Sequence, residues 1–532
     1  MRTFIIKCLA RIKLLPILFF TTSLFAQGVD KENNTIVISL STEPPTLDSS
    51  LSEDSVSSFV LGTIQEGLVR VDARGDIQPA IAESWTITET GAIFNLRKNA
   101  RWSDGKIISA QDFVYSWRRL VDPKTGASGS TFFAFVLKNG EAIIRGEKSK
   151  NELGVIALND HRLEVITSKP IPYLLKALSI ANFFPLREDF VTSMGDHYAA
   201  DSDKMLFSGP YILNSWIHGA SLSFKKNIHY WNQSAVMLSN IDASYITQDK
   251  RALLNLYRAK ELATLDLNGS LLDDVIENGY RIRKKTNNCS SIITLNHRQN
   301  RATSNKNLRK ALQFVFDPAI YANRIIAVPG TTASYSVFPS YLKAQGKPFT
   351  EQFPVALKIP YFDKAKVHLA LAKAELGEIP NLVLLSREGN EKKDEYLQAL
   401  FKESLGLDIK IDRQNFKQAI VRLIAGEFDL AFSGFCSGTM DDPFMSATNY
   451  TSTHPYNDGK FKSDEYDRLY NFTSTTTDQN ARMQAFSNMQ DILLEEAVVL
   501  PTHESSDIYV QEDAVRRLYY GAKWDFSWAR IR

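Results

Sequence analysis

Apolar and polar positions alternate briefly from Asn34 to Leu40 ("NTIVISL"), which predicts a short strand running into the Glu43-Pro44-Pro45 turn. Between Ser55 and Glu66 the spacing changes to threes and fours, so that Val56, Phe59, Val60 and Ile64 share one buried side of a helix. Gly67 to Gly105 reads as short strands broken by turns. A helix then opens with Ser109 as N-cap ahead of Ala110, Gln111 and Asp112; Phe113 and Trp117 sit at core spacing, and Pro123 stops it. Gly209 to Trp231 predicts a hairpin ending in an aromatic pair, and Asn305 to Ile320 contains a helix. From about Pro354 a second region runs through "LDIKIDRQNFKQAIVRLIAGEFDLAFSGF", a strand, a helix and a strand. The tail from Ala497 holds one strand or two. Strands and helices mixed throughout imply an α/β chain with more than one sheet.

The N-terminus has a different pattern. Arg2, Lys7, Arg11 and Lys13 precede an apolar run from Leu14 to Ala26. Thirteen residues at about 1.5 Å each span only ~20 Å, short of a bilayer core of roughly 30 Å. A basic leader, a short apolar stretch and small residues at its end read as a secretory signal peptide, residues 1–26, cleaved near residues 23–26. An uncleaved anchor is the competing reading. Cys8 lies upstream of the apolar run and cannot be a lipid-bearing first residue, so the mature chain is expected to be untethered, in a periplasm rather than on an open cell surface. Of three cysteines, Cys289 and Cys436 remain after cleavage. In an oxidising compartment they can pair; alternatively they are two buried thiols acting as small hydrophobes.

Composition narrows the function classes. The chain has 532 residues, 44% hydrophobic and 23% charged, too long for one core and suited to two or three domains. A formal net charge of +2 makes no electrostatic case for nucleic acid. The eight histidines are scattered, without an i, i+4 pair, and no CxxC occurs, so no structural metal is expected. Neither a GxSxG elbow nor a glycine-rich phosphate loop is present, so hydrolase and nucleotide chemistry have no local support. The Arg74-Gly75-Asp76 triplet carries no weight, since three residues match by chance.

Six blocks in order carry a resemblance: "EPPTLDSS", "EGLVRVDARGDIQPAIAESW", "LRKNARWSDGKIISAQDFVYSWRRLVDP", "GPYIL" with "NIHYW", "LRKAL" with "FD", and "SDEYDRL". The third is the most specific, with Trp102, Ser103, Asp104, Gly105, Asp112 and Phe113 all in register. From about Ile36 to its end the chain resembles the periplasmic oligopeptide-binding proteins of ABC importers. The resemblance implies an α/β clamshell, periplasmic binding protein type II-like, with mixed sheets. Lobe one would comprise 27–65, 191–288 and 505–532, with an extra domain at 66–190; lobe two would be 289–504, joined by two hinge crossings. It implies a soluble monomeric receptor, not an enzyme, without cofactors. Such a receptor captures short peptides by β-augmentation and delivers them to an ABC transporter permease and its ATPase subunits.

On the same resemblance, the backbone of Glu53-Asp54-Ser55 in lobe one and of Phe432-Ser433-Gly434-Phe435-Cys436 in lobe two would hold the peptide. Read locally, Ser55 caps the helix it begins. The resemblance also implies a Cys289–Cys436 disulfide. The family's aspartate two residues after the second cysteine, which meets the peptide ammonium, is Gly438 here. A lengthened loop brings Asp441 and Asp442 instead, one of which is expected to serve as the anchor; the alternative is that both face water in a turn. Phe432 replaces an arginine that in some members meets the peptide carboxylate. Phe416 and Phe132 or Phe133 stand where members carry aromatic contacts, with core packing as the plain alternative. The altered anchor keeps cell-wall muropeptides open as ligand. A nickel- or haem-complex binder and a secreted peptidase or chaperone have less support.

Overall fold

The computed structural model describes residues 27–72, 75–127, 136–344, 346–436, 441–454, 456–520 and 524–532. The leader, Arg74, Phe132, Phe133 and Gly438 lie outside the described residues.

Thr35–Leu40 is the predicted strand, but it is covered on both faces. Ile36, Ile38 and Leu40 enter one core and Val37 another. Burial on both sides is what a parallel partner brings, and the strand pairs in parallel with Asn240–Ile246. The hairpin Tyr211–Ile217 and Ser221–Lys226 and the short edge Val29–Asp30 complete a five-stranded sheet. Helix Ser55–Ile64 lays Phe59, Val60 and Ile64 on that sheet as spaced.

The segment from Leu68 to Phe183 builds its own four-stranded antiparallel sheet from Ala82–Thr88, Gly91–Leu96, Arg162–Ile166 and Val155–Asn159. Helix Ala110–Val121 covers it, burying Phe113 and Trp117. The Trp117 indole donates to the Phe183 carbonyl at 2.9 Å. Asp112 accepts the Ser109 N–H at 2.8 Å and the Trp102 indole N–H at 3.2 Å, while burial raises its pKa. These block residues therefore hold a fold together.

A seven-stranded mixed sheet spans the middle of the molecule, its main path running Thr264–Leu267, Val499–Gln511, Arg283–Leu295, Leu430–Cys436, Leu382–Arg387 and Ile409–Gln414. Arg283–Leu295 and Val499–Gln511 are 13-residue antiparallel strands that connect different cores. At one end Ile508 and Val510 pack with Leu265 and Leu254; at the other, Ile293 and Leu500 pack with Leu312, Phe401 and Leu430. Between these ends the register slips from Thr286 to Ser290, with Asn288 at φ 54°, a left-handed conformation that asparagine tolerates. The tail predicted as one strand or two is thus mainly one long strand.

The apolar core of residues 68–183 is continuous with that of 337–499. Tyr173 stacks on Phe444 with centroids 5.3 Å apart, and Phe444 stacks on Tyr470 at 4.7 Å.

Cys289 and Cys436 face each other across the antiparallel pair, Cα atoms 4.0 Å apart, and are disulfide-bonded. Closing so long a loop restricts the unfolded chain by on the order of 4–5 kcal/mol. Peptide mapping without reductant should recover the two cysteines in one linked fragment, and the double serine variant should unfold at a lower temperature. Two free thiols would refute the pairing.

Burial pushes the His297 imidazole down to about 3 and that of His503 to about 4. The unfolded chain therefore takes up protons first as pH falls from the ordinary histidine value near 6.5, and this contribution to folded stability declines across roughly pH 6.5 to 3. Thermal unfolding over this window should show the decline, and His297→Gln with His503→Gln should flatten part of it.

Candidate functional site

Leu430–Cys436 is the strand around which the candidate site is arranged. One edge pairs with Arg283–Leu295 along its whole length, from Leu430↔Leu295 to Cys436↔Cys289. The other edge pairs with Leu382–Arg387 only at Leu430 and Ala431. From Phe432 to Cys436 no described strand lies on that outer edge. The cause is topological. Leu382–Arg387 runs through helix Glu391–Leu405 into its parallel neighbour Ile409–Gln414, and the chain then returns through helix Phe416–Ala425 to Leu430–Cys436 on the opposite side. Where strand order reverses, connections leave in opposite directions and a crevice opens outside the strand ends.

Alternate residues of this strand belong to different surroundings. Phe432 packs beside the core of Ile293, Leu397 and Leu430, with the Lys393 ammonium 5.9 Å from its ring centroid. Phe435 packs beside the core shared by residues 68–183 and 337–499. The Ser433 and Thr294 hydroxyls hydrogen-bond at 2.6 Å. A Cβ at Gly434 would come within 2.6 Å of the Ser290 carbonyl oxygen, so a side chain there would push the two strands apart.

The loop preceding helix Ser55–Ile64 is anchored from outside itself. Arg119 grips Asp48 through both carboxylate oxygens, at 2.9 and 2.6 Å. The Asn182 amide donates to the Ser49 carbonyl at 2.9 Å and the Ser52 carbonyl at 3.1 Å. Both grips come from the segment expected as an extra domain. Asp54, one residue earlier than expected, is the helix cap: its Oδ1 accepts from Val56 and Ser57 N–H at 2.8 Å each. Ser55 is simply the first helical residue and is exposed, as is Glu53. Leu51, two residues upstream, packs beside the same core as Phe435.

The two aspartates have different partners, and neither faces open water. Both Asp442 oxygens are bound by the guanidinium of Arg482, at 2.7 and 2.8 Å, and Oδ1 also accepts the Phe444 N–H at 2.9 Å to cap helix Pro443–Thr448. The Arg482 side chain is fully buried. Asp441 pairs with Lys176 and, at 3.6 Å, with Lys343, whose N–H donates to the Asp441 carbonyl at 2.7 Å. Lys343 also lies 3.9 Å from Asp76. Asp441 and Lys343 thus face Lys176 and Asp76, which belong to the antiparallel-sheet segment. Tyr173, one turn before Lys176, is buried beside Phe444; burial and the nearby Asp442 charge hold its hydroxyl protonated.

Phe416 is exposed, with the Arg387 guanidinium 5.5 Å from its ring centroid. Sequence reasoning missed Lys176, Lys343, Arg482, Arg387 and Lys393. Only the Asp442 cap had a local signal: an aspartate directly before a proline at a helix start. Asp442→Ala would leave the Arg482 charge buried without its partner, at a cost of about 3–5 kcal/mol. Urea unfolding should register that loss; an unchanged midpoint would show that the pair contributes nothing to folding.

Comparisons with known proteins bear on the family and the fold. Residues 76–457 match the model for bacterial extracellular solute-binding proteins, family 5 Middle. The dipeptide-binding protein of Lactococcus lactis is 30% identical over 469 residues, covering 84% of each chain. The periplasmic murein peptide-binding protein MppA of Escherichia coli is 28% identical over 490 residues, covering 89% of this chain and 88% of that protein. Among solved structures, Listeria monocytogenes OppA bound to peptide superposes with a TM-score of 0.74 at 27% identity, covering 94% of this chain and 99% of that one. The α/β architecture of mixed sheets is the type II periplasmic-binding-protein clamshell, two lobes with an extra domain. With well over half its length matched by the family model, the chain belongs to the bacterial extracellular solute-binding proteins of family 5.

Proposed function

We propose that this chain is a soluble periplasmic receptor that captures short peptides between its lobes and hands them to an ABC transporter permease with its ATPase subunits. The bare edge of Phe432–Cys436 carries the reading. A guest laid along it as an added strand is held through main-chain hydrogen bonds, so affinity depends little on side-chain identity. The relatives that bind dipeptides and murein peptides, and the related structure with bound peptide, support the same reading. Glu53-Asp54-Ser55 forms the opposing wall, on a loop held by Arg119 and Asn182. Lobe one is 27–65, 191–288 and 505–532 with the extra domain 66–190, and lobe two is 289–504. The register slip between Thr286 and Ser290, beside Val499–Gln511, serves as the hinge. Residues 1–26 direct export and are removed, and the mature chain acts without a lipid anchor, as a monomer.

The ammonium anchor falls to Asp441. Both Asp442 oxygens are already committed to Arg482, whereas Asp441 is held by two lysine side chains that a guest ammonium can displace. A second reading, cell-wall muropeptides as ligand, draws on the same observation. Gly438 supplies no carboxylate, and a guest with D-residues and γ-linkages departs from a regular backbone ladder.

The test is to incubate the mature protein with a library of di- to pentapeptides and weigh the complexes by native mass spectrometry. Intact short peptides should remain bound, and scattering should report a smaller radius on binding. Wall tripeptide as the sole ligand selects the second reading; cleaved peptides, or no bound peptide of any kind, defeat the receptor. Asp441→Asn should weaken peptides with a free amine by about 10- to 100-fold relative to their N-acetylated forms. Equal loss for both would put the anchor elsewhere.

A further inference from the structure

Helix Phe362–Leu376, "FDKAKVHLALAKAEL", is apolar on two opposite sides. Its inner side puts Ala365, Leu369 and Ala372 into the core that also holds Ile293, Leu312 and Phe401. Its outer side repeats the spacing. Val367 and Leu371 stand one turn apart with Ala370 and Ala374 beside them, and all four are exposed, Val367 at 60% and Leu371 at 46%. A surface helix ordinarily turns polar residues outward, so a second apolar side is stabilised only by something that covers it. At the N-terminal end Tyr361 and Phe362 are exposed as well.

Lysines border the outer side. Lys364 lies on one flank, three residues before Val367; Lys366 and Lys373, seven residues apart, lie on the other. All three are exposed, and among the described residues none of them has an ion-pair partner. The Lys364 ammonium sits 5.1 Å from the Tyr361 ring centroid and 5.7 Å from that of Phe314. The carboxylates nearby are mostly engaged. Asp363 is in the first turn, where unbonded amides favour a negative charge, and Glu378 lies past the helix end. Glu375 accepts from the Asn305 and Asn307 amides at 2.6 and 2.9 Å. Glu496 pairs with Lys306 at 2.6 Å and with Arg309 at 3.7 Å. On the packed neighbour, helix Lys306–Val315, burial and the Lys306 charge push the Lys310 ammonium down to about 8, against the pull of Glu495 and Glu496. Burial, then Lys310, Lys364 and Lys306, lower the pKa of His368 on the helix itself. The region is therefore electropositive before any partner arrives.

Two bulky apolar side chains between lysine stems make a narrow stripe. That shape and charge match the boundary of a bilayer, where the stems lie along the acyl region and the ammonium groups reach the phosphates. We propose that the outer side of helix Phe362–Leu376 docks on an anionic phospholipid surface. Val367, Leu371 and their neighbouring alanines meet the acyl boundary, and Lys364, Lys366 and Lys373 meet the headgroups. The docking rests on the export reading above and not on the identity of the peptide. It adds a second partner, the membrane itself, to the receptor and its permease.

Vesicle flotation of the mature, oxidised chain tests it. At low salt the protein should rise with vesicles of equal parts phosphatidylglycerol and phosphatidylcholine, stay behind with phosphatidylcholine alone, and be released by added salt. Lys364→Gln, Lys366→Gln and Lys373→Gln together should weaken partitioning by on the order of 100-fold, and Val367→Ser with Leu371→Ser by about tenfold. Lys98→Gln, Lys124→Gln and Lys225→Gln remove the same charge from exposed positions elsewhere and should leave partitioning unchanged. A further readout does not depend on lost binding. With Cys289 and Cys436 bonded to each other, Ala370→Cys can carry an environment-sensitive dye, which should shift to the blue on anionic vesicles. Equal loss with both lysine triples shows attraction to net charge alone and overturns the docking face. So does a wild type that ignores anionic vesicles, a helix variant that partitions as wild type does, or a dye that still reports water. Dimerisation through Val367 and Leu371 in place of vesicle binding would overturn it too. Each of these outcomes leaves the peptide test standing, because that test is read without lipid.

Discussion

Peptide groups along a strand edge need partners, whether water, another strand or a ligand. In this molecule the strand Leu430–Cys436 is held firmly along one edge, by seven successive residue pairs and a terminal disulfide, and is bare along most of the other. Sheets usually protect such an edge with a charge, a bulge or a covering element. Here Leu382–Arg387 departs after Ala431 and leaves the edge without a neighbour among the described strands. The arrangement is costly to hold open unless the strand is rigid. The disulfide and the close approach at Gly434 supply that rigidity by keeping it against Arg283–Leu295.

Charge is distributed around the crevice in two kinds. Where it maintains the fold, each group is matched: Asp48 with Arg119, Asp394 with Arg413, Asp442 with Arg482. Replacing one partner in such a pair strands the other, so these are poor places to exchange a bond for a ligand. Asp441 is different, since its partners are two lysine side chains, Lys176 from the antiparallel-sheet segment and Lys343 from the segment that carries the large sheet's strands. Lysine is a compact charge on a long stem, and giving up one lysine for another ammonium changes little in geometry. That is the physical basis for assigning a guest ammonium to Asp441 and for leaving Asp442 to the fold.

Much of the architecture was legible in the sequence because it is written in local spacing. Helix Ser55–Ile64, helix Ala110–Val121, the hairpin from Tyr211 to Lys226 and the strand-helix-strand run ending at Cys436 all follow periodicity and turn chemistry. The disulfide was implied by resemblance and has its two cysteines directly opposite in the ladder. The site was less legible for two reasons. Caps depend on which residue turns first, and Asp54 rather than Ser55 does so. Ion pairs such as Asp441–Lys176 and Asp442–Arg482 join positions far apart in the chain, and nothing in the local pattern ties a particular lysine or arginine to a particular aspartate. The reading of both aspartates as one kind of candidate therefore splits in three dimensions into a residue bound to a buried arginine and one paired with two lysines.

The continuity of the core from residues 68–183 into 337–499 bears on how the crevice opens and closes. A hinge alone, if the register slip from Thr286 to Ser290 is one as proposed, would leave the lobes free to separate widely. Tyr173 stacked on Phe444 and Lys176 paired with Asp441 add a second point of contact, away from the slip, between residues 68–183 and the segment from 337 to 499. Contact at both places restricts the motion to a rotation about the line joining them, which shears the crevice walls as well as parting them. A ligand ammonium that competes with Lys176 for Asp441 would loosen this contact, so capture at the site and grip at the extra domain share one carboxylate. If the proposed anchor holds, closure and selection would be coupled through the charge on Asp441, without any need for a change in the sheet that carries the strand.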